Sequence, residues 1–211
     1  MINVRGLDLT LNKNHILDDI NVHFEKGKIS GLVGRNGSGK TMLMKCICGF
    51  IRPDKGEVRV DGKHIGKDCD FPESLGLIIE TPGFIPAYSG YKNLKILAGI
   101  NSKIGRDEIR EAMRKVGLDP DMKKSVRKYS LGMRQRLGIA QAIMENPKLL
   151  VLDEPFNGLD VEGLEEMRTF FLEYKKNGGT ILMASHSKED IGILCDMVYT
   201  MEHGRITSRS L

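Results

Sequence analysis

The hydrophobic positions of the chain follow two patterns, each in its own segments. Residues 29–33, 149–152 and 180–184 are almost uniformly apolar, which predicts short strands buried on both faces. Other segments carry apolar residues three and four positions apart, as one face of a helix does. Buried strands that alternate with helices are typical of a parallel sheet covered on both sides, so the pattern predicts an α/β fold.

The opening of the chain predicts a second kind of sheet. Residues 1–32 read as short strands in a turn-rich segment, and the alternation of apolar and polar positions is imperfect over residues 16–24. Turn signals also bracket residues 58–60, which favours an antiparallel hairpin there. We therefore expect antiparallel β structure in the N-terminal part of the chain, next to the parallel sheet.

Residues 86–146 have the character of an inserted helical lobe, because charged residues become frequent and the apolar positions recur at helical spacing. One predicted helix face carries four apolar residues at the i, i+3, i+4 and i+7 positions: Ile109, Ala112, Met113 and Val116. A second helix is predicted to begin after Ser130 as its N-cap and to end before the Asn-Pro pair at 146–147.

The amino-acid composition indicates the general class of protein but does not indicate a function. The 211 residues are 40% hydrophobic and 28% charged, which suits one globular domain with a packed core. No apolar run is long enough to cross a bilayer and no secretion signal opens the chain, so we expect neither. The net charge of +4 is too small for a dedicated nucleic-acid binder. The four cysteines lack metal-ligand spacing and are expected to be small buried hydrophobes.

The strongest chemical signal is a glycine-rich segment between a predicted strand and a predicted helix. It fits the phosphate-loop pattern over eight residues: Gly34, Arg35, Asn36, Gly37, Ser38, Gly39, Lys40 and Thr41. The glycines allow backbone N–H groups to surround a phosphate chain, and the following helix adds positive potential. Lys40 is suited to the outer phosphates and the hydroxyl of Thr41 to Mg²⁺. The segment therefore predicts the phosphate chain of a nucleotide and Mg²⁺ as ligands; the family resemblance described below specifies ATP as that nucleotide.

A pair of carboxylates, Asp153 and Glu154, follows the apolar strand at 149–152. Such a pair would emerge at the carboxyl end of the strand, where open α/β sheets bind ligands. Alone it is a weak signal, since strand-end acids are often solvated. Beside a phosphate loop, Asp153 is predicted to hold Mg²⁺ and Glu154 to polarise the water that attacks the terminal phosphate.

The segment at 129–136 makes a family resemblance specific. It resembles the signature motif of ABC-type ATPases, with Ser130 and Gly132 in the positions of the motif's serine and second glycine. Leu131 replaces the first glycine and Met133 the glutamine. Without the resemblance, the same residues predict an ordinary capped amphipathic helix.

Further markers of the family follow in the order that the resemblance implies. Residues 156–160 resemble the D-loop, and His186, at the end of the strand at 180–184, resembles the switch histidine and is expected beside the same phosphate. The similarity extends over about residues 2–206. It implies a P-loop NTPase core of the RecA type with a mostly parallel sheet, an N-terminal antiparallel β subdomain and an inserted helical subdomain.

The resemblance implies that residues 1–211 form a single ABC ATPase domain, with the core and antiparallel subdomain at about 1–85 and 147–211 and the helical subdomain at about 86–146. It also implies an ATP-hydrolysing transporter subunit that forms a homodimer or heterodimer. Ser130 and Gly132 of one copy would meet the nucleotide on Lys40 of the other. Integral-membrane permease subunits would be its partners, at the cytoplasmic face of the cell membrane, and no nucleic acid is expected.

Two positions depart from the family pattern. Glu80 stands where the family usually has a glutamine between core and helical lobe, and Leu11 where an aromatic residue commonly stacks on adenine. We expect Glu80 to hold Mg²⁺ or a water and to keep the coupling role with altered metal or pH sensitivity. The glutamate variant resembles a subgroup tied to the export of, and resistance to, peptide antibiotics such as bacitracin and lantibiotics. With Leu11, discrimination between ATP and GTP should be poor.

The main alternative is a soluble ABC ATPase that acts on the ribosome or on nucleic acid, for which the best support is a basic cluster of four residues: Lys123, Lys124, Arg127 and Lys128. A solvated surface explains these charges more simply. A GTPase is disfavoured because the Asn12-Lys13 pair lacks the acid of a guanine motif. A plain kinase is disfavoured by the signature-like helix and by His186.

Overall fold

The computed structural model describes residues 1–210 and places them in two sheets with helices around them. The strands are β1 Ile2–Leu11, β2 Asn14–Phe24, β3 Ile29–Val33, β4 Lys55–Val60, β5 Lys63–His64, β6 Leu75–Ile78, β7 Leu149–Asp153, β8 Thr180–Ala184, β9 Met197–Glu202 and β10 Arg205–Ser210. The helices are α1 Lys40–Ile47, α2 Gly90–Asn101, α3 Arg106–Lys115, α4 Leu131–Ile143, α5 Val161–Lys176 and α6 Lys188–Leu194, with a short 3₁₀ turn at Val126–Lys128.

The larger sheet confirms the predicted α/β fold. Its strand order is β10-β9-β3-β8-β7-β6, and all neighbours are parallel except the pair of β10 with β9. The three apolar runs of the sequence are β3, β7 and β8, which lie side by side. Their carboxyl ends therefore meet at one edge, where an open α/β sheet can bind a ligand.

The smaller sheet is antiparallel, with the order β2-β1-β4-β5, as the N-terminal pattern predicted. The expectation of short strands was wrong, because β1 and β2 are ten and eleven residues long. Register shifts interrupt their pairing, and Gly6 and Asp19 have positive φ angles of 54° and 47°. These bulges break the period-two alternation, so two long strands look like several short ones in the sequence.

Three helices, α2 to α4, occupy the segment expected to form the helical lobe. All four positions of the predicted helix face are buried, three of them on α3 and the fourth, Val116, as the residue that follows it. The Ser130 side chain accepts a hydrogen bond from the Met133 N–H, which confirms the predicted N-cap of α4. The subdomain boundaries themselves stay a prediction. No helix within residues 1–210 combines the length and the apolarity that crossing a bilayer requires.

The larger sheet separates two hydrophobic cores. Along β7, Leu150 and Leu152 contact the core that includes α3, α4 and α5, whereas Leu149 and Val151 contact the core shared with α1 and the antiparallel sheet. Both faces of the strand are therefore buried, which explains its uniformly apolar sequence.

The cysteines match the prediction in part. Cys46 and Cys48 are buried, and burial raises the pKa of each thiol to about 12. Cys69 and Cys195 are half-buried.

Candidate functional site

A cavity of about 770 Å³ lies at the carboxyl edge of β3, β7 and β8. We call it the phosphate-loop cavity. Most predicted site residues line it: Asn36, Gly37, Ser38, Gly39, Lys40, Thr41, Glu80, Asp153, Glu154 and His186. Four predicted residues lie outside its lining: Gly34, Arg35, Ser130 and Gly132. The structure thus brings together residues from four separate segments of the chain and leaves the predicted signature residues apart from them.

The loop between β3 and α1 requires glycine at two positions. Gly34 has a φ angle of 155° and Gly39 one of 106°, which L side chains rarely adopt. A Cβ atom on Gly34 would also lie 2.2 Å from the Met201 carbonyl oxygen. Any larger residue would clash there, so the glycines fix the path by which the chain enters α1.

Lys40, the first residue of α1, is held by the loop that it follows. Its Nζ donates hydrogen bonds to the carbonyl oxygens of Gly34, at 2.7 Å, and Arg35, at 3.1 Å. Burial lowers the pKa of Lys40, while the nearby charges of Asp153 and Glu154 act in the opposite direction. A largely buried ammonium group is well suited to contact phosphate oxygens.

Of the three residues predicted to hold Mg²⁺, Thr41 and Asp153 are in direct contact, whereas Glu80 is hydrogen-bonded to Lys45. The Thr41 hydroxyl donates a hydrogen bond of 2.7 Å to the Asp153 Oδ2 atom. Hydroxyl and carboxylate oxygens are the ligands that Mg²⁺ prefers, and Mg²⁺ sites commonly combine one or two such groups with phosphate oxygens. The donor set at this edge therefore fits that metal.

Glu154 lies in a partly buried turn after β7, with a positive φ angle of 49°. Its Oε2 accepts a hydrogen bond of 3.4 Å from the His186 N–H. The His186 Nε2 lies 3.2 Å from Oε1, within ion-pair distance but without hydrogen-bond geometry, so Oε1 is buried without a hydrogen-bond partner in the part of the chain described. Such an atom is poised to take a proton or bind a water.

The surroundings of Glu154 raise its pKa. Burial is the largest cause and the negative charge of Asp153 adds to it, whereas His186 and Lys40 favour the ionised form. Gln135, on α4, donates hydrogen bonds to the backbone oxygens of Glu154, at 3.3 Å, and Pro155, at 2.9 Å. The turn that presents the carboxylate is therefore held from the helical side as well.

Glu80 lies at the rim of the cavity, two residues after β6. Its φ angle is 61° and its side chain is 63% exposed. The Lys45 Nζ donates a hydrogen bond of 2.5 Å to Glu80 Oε1. Glu80, which departs from the family pattern, is therefore bound by a side chain of α1, the helix that follows the phosphate loop.

The start of α4 packs against the segment that follows Glu154. A Cβ atom on Gly132 would lie 2.6 Å from the Gly158 carbonyl oxygen, and one on Gly158 would lie 2.4 Å from the Leu131 Cγ atom. Leu131 and Arg134 line the cavity, whereas Ser130 is exposed at the helix end. The first turn of α4 thus borders the site without directing its serine into it.

Comparison with known proteins decides the family. The ABC transporter family model matches residues 17–157, which is more than half of the chain. This chain belongs to the ABC transporter ATP-binding proteins.

The curated relatives match nearly the whole length of this chain. An uncharacterised ABC transporter ATP-binding protein of Bacillus subtilis, YybJ, is 46% identical over 98% of this chain and 94% of its own length. The bacitracin transport ATP-binding protein BcrA of Enterococcus faecalis is 41% identical over 98% of this chain and 68% of its own length. The lantibiotic transport ATP-binding protein SrtF of Streptococcus pyogenes is 35% identical, over 98% and 89%.

Solved structures share the fold of this ABC protein. A dimeric ATP-binding cassette in a post-hydrolysis state with ADP and phosphate matches with a TM-score of 0.89 at 18% identity, over 100% of this chain and 98% of that one. CbiO1 of Clostridium perfringens, part of the CbiONQ transporter complex, matches with a TM-score of 0.82 at 28% identity, over 99% and 87%. These likenesses confirm the expected P-loop NTPase architecture.

The sequence did not predict several of the residues that line the phosphate-loop cavity of this ABC protein. Ile16 lines the cavity, whereas Leu11, expected by alignment to face the base, does not and packs against the core that includes α1. Gln135 and Arg134 were also missed as lining residues. Gln135 could have been singled out as a polar residue on the inward side of an amphipathic helix, but nothing in the sequence marks Ile16.

Proposed function

We propose that this protein binds ATP with Mg²⁺ and hydrolyses it as the ATPase subunit of an ABC transporter. The observation that carries the proposal is the convergence of Lys40, the hydrogen-bonded pair of Thr41 and Asp153, and the partly buried Glu154 on one cavity. Membership of the family and the fold shared with a nucleotide-bound cassette support it.

The residues divide the chemistry among themselves. Lys40 and the N–H groups of residues 36–41 would contact the phosphate chain at the start of α1. Thr41 and Asp153 would hold Mg²⁺, which neutralises charge on the phosphate oxygens when bound. Glu154 would orient the attacking water and accept its proton, and His186 would hold Glu154 in place. The P–O bond to ADP breaks and inorganic phosphate leaves.

We further propose that two ATPase subunits act as a pair, either a homodimer or a heterodimer. Ser130 and Gly132 lie outside the phosphate-loop cavity of their own chain, and Ser130 is exposed at the N-terminus of α4, where backbone N–H groups and positive potential favour an anion. A second copy could therefore offer its α4 to the nucleotide bound at Lys40. Binding would close the pair, and hydrolysis would open it.

The movement would pass to separate permease subunits in the membrane, and this protein would bind them at the cytoplasmic face as a peripheral component. Glu80 would take part in this coupling, since it lies between the cavity and the segment that leads into α2. Relatives named for bacitracin and lantibiotic transport support a peptide antibiotic as the exported substrate. With Ile16 in place of an aromatic residue at the cavity, we expect little preference for adenine over guanine.

The decisive experiment replaces the proposed base, Glu154→Gln. Turnover, measured as phosphate release at saturating Mg-ATP, should fall by a factor of about 10² to 10⁴, while the Kd for ATP stays close to that of the wild type and a closed dimer accumulates. Glu173→Gln, which neutralises an exposed glutamate on α5, is the matched control and should keep full turnover. Normal turnover in Glu154→Gln would reject the assignment.

Association tests the transporter role against its alternative. The side chains of the basic cluster Lys123, Lys124, Arg127 and Lys128 are all exposed, which is what a soluble ABC ATPase acting on ribosomes or nucleic acid would use. Detergent extraction of membranes should yield this chain together with an integral-membrane protein. Salt-sensitive co-sedimentation with ribosomes or DNA, and no membrane partner, would favour the alternative instead.

A further inference from the structure

The ion pair between Lys45 and Glu80 links two parts of the site that are distant in sequence. Lys45 lies on α1, four residues after Thr41, so both side chains project from the same face of one helix. The Lys45 side chain is only 21% exposed, and its Nζ lies 2.5 Å from Glu80 Oε1. Among residues 1–210, Lys45 is the sole cation within ion-pair distance of Glu80.

Charge explains why this contact matters. The described lining of the phosphate-loop cavity holds three carboxylates, on Asp153, Glu154 and Glu80, and two basic side chains, those of Lys40 and Arg134. Asp153 already accepts a hydrogen bond from the Thr41 hydroxyl, and the Glu154 carboxylate lies 3.2 Å from the His186 ring. Glu80 adds a negative charge to a cavity that is to receive a polyanion, and like charges at close range disfavour binding.

We propose that Lys45 is a positioning residue that anchors the Glu80 carboxylate at the rim and neutralises its charge toward the triphosphate. The proposal rests on the proposed ATP-binding function. Lys45 does not line the cavity itself and acts through Glu80, which faces it. The same helix that receives the phosphates at Lys40 thus holds the carboxylate that replaces the family's glutamine. A glutamine there, being uncharged, would need no such counter-ion.

A double-mutant cycle tests this link. The variants are Lys45→Met, which keeps the length of the side chain and removes its charge, Glu80→Gln, and the two combined. The measurement is the Kd for ATP by titration calorimetry at low salt, first in EDTA, so that no metal contributes. Lys45→Met should weaken ATP binding about fivefold, a modest factor because Glu80 is largely exposed. Glu80→Gln should bind ATP at least as tightly as the wild type.

The combined variant carries the test. Once Glu80 is neutral, loss of Lys45 should have no effect, so the combined variant should match Glu80→Gln. Lys45→Arg should keep the affinity of the wild type, since it keeps the charge. The effect of Lys45→Met should shrink as salt is added or Mg²⁺ is supplied, because both screen the carboxylate.

Other outcomes overturn the proposal. An equal loss of affinity with and without Glu80 would mean that Lys45 acts on the nucleotide directly or on the stability of α1. An unchanged Kd in Lys45→Met would mean that Glu80 needs no counter-ion. Urea unfolding of each nucleotide-free variant verifies folding, and Lys45→Gln replaces Lys45→Met if that chain does not fold. A wild-type protein that binds no ATP would overturn the proposed function as well, whereas ATP binding with additive effects rejects this inference alone.

Discussion

At the scale of single residues, Glu154 shows how burial sets the working range of a carboxylate. A base must be ionised to accept a proton, and burial disfavours the ionised form. His186 and Lys40 offset this cost only in part, since the net direction of the pKa shift is upward. As the proposed base, Glu154 would thereby be a better proton acceptor once ionised, with lower activity in acid.

The raised pKa of Glu154 predicts the acidic limb of the pH profile. As the pH falls through that pKa the carboxylate takes up a proton and turnover is lost, so the limb should lie above about 4.3, the ordinary value for a glutamate. The measurement is kcat against pH at saturating Mg-ATP, with circular dichroism at each pH to show that the protein stays folded. A limb at or below the ordinary value, in folded protein, contradicts this picture.

At the scale of elements, α4 and the Glu80 loop fit each other closely. A Cβ atom on Gly138 of α4 would lie 2.8 Å from the Pro82 Cγ atom, two residues beyond Glu80. The helix can approach the loop only because position 138 has no side chain. Helix α4 and the loop that carries Glu80 are therefore in direct contact at Gly138 and Pro82.

This contact predicts opposite effects for two glycine-to-alanine changes in helices. Gly138→Ala should lower the free energy of unfolding by about 1–3 kcal/mol, because the added methyl group overpacks against Pro82. Gly99→Ala, on α2 with open space around the position, should raise it by about 0.5–1 kcal/mol through helix propensity alone. Urea unfolding of both variants gives the comparison. Equal stabilisation of both would show that the Pro82 loop yields without resistance.

The sequence predicted those elements whose signal is local. Strand β7, the glycine loop before Lys40 and the cap at Ser130 each carry their cause within a few neighbouring residues, and the carboxyl ends of parallel strands then bring Asp153 and His186 to one edge. The lengths of β1 and β2 were not predictable, because bulges depend on pairing with another strand.

Contacts set by tertiary packing also escaped prediction. Neither the pairing of Lys45 with Glu80 nor the presence of Ile16 at the cavity follows from spacing, since each depends on how a helix or hairpin sits against the sheet. The family motif marks Glu80 as unusual, whereas its contact with Lys45 follows only from the packing of α1. Sequence patterns thus identify candidate site residues, whereas tertiary packing determines which side chains contact them.

At the scale of the whole molecule, ligand binding should appear as added stability. A nucleotide analogue that is not hydrolysed, supplied with Mg²⁺ at 100 times its Kd, contributes about 2.7 kcal/mol. For a chain of this size that corresponds to a rise in Tm of about 5–10 °C. Lys40→Ala should abolish the rise, whatever its own starting Tm. A Lys40→Ala protein that shows the full rise would place the nucleotide elsewhere.

The position of β7 between the two hydrophobic cores has a consequence for any attempt to dissect the protein. This one strand borders both hydrophobic cores and ends at Asp153, the residue before Glu154. Because β7 packs in both cores, we expect that unfolding of either core would also displace Asp153 and Glu154 from Thr41 and His186. Heating should therefore unfold both hydrophobic cores and abolish ATPase activity in a single transition, and neither core alone should retain the activity.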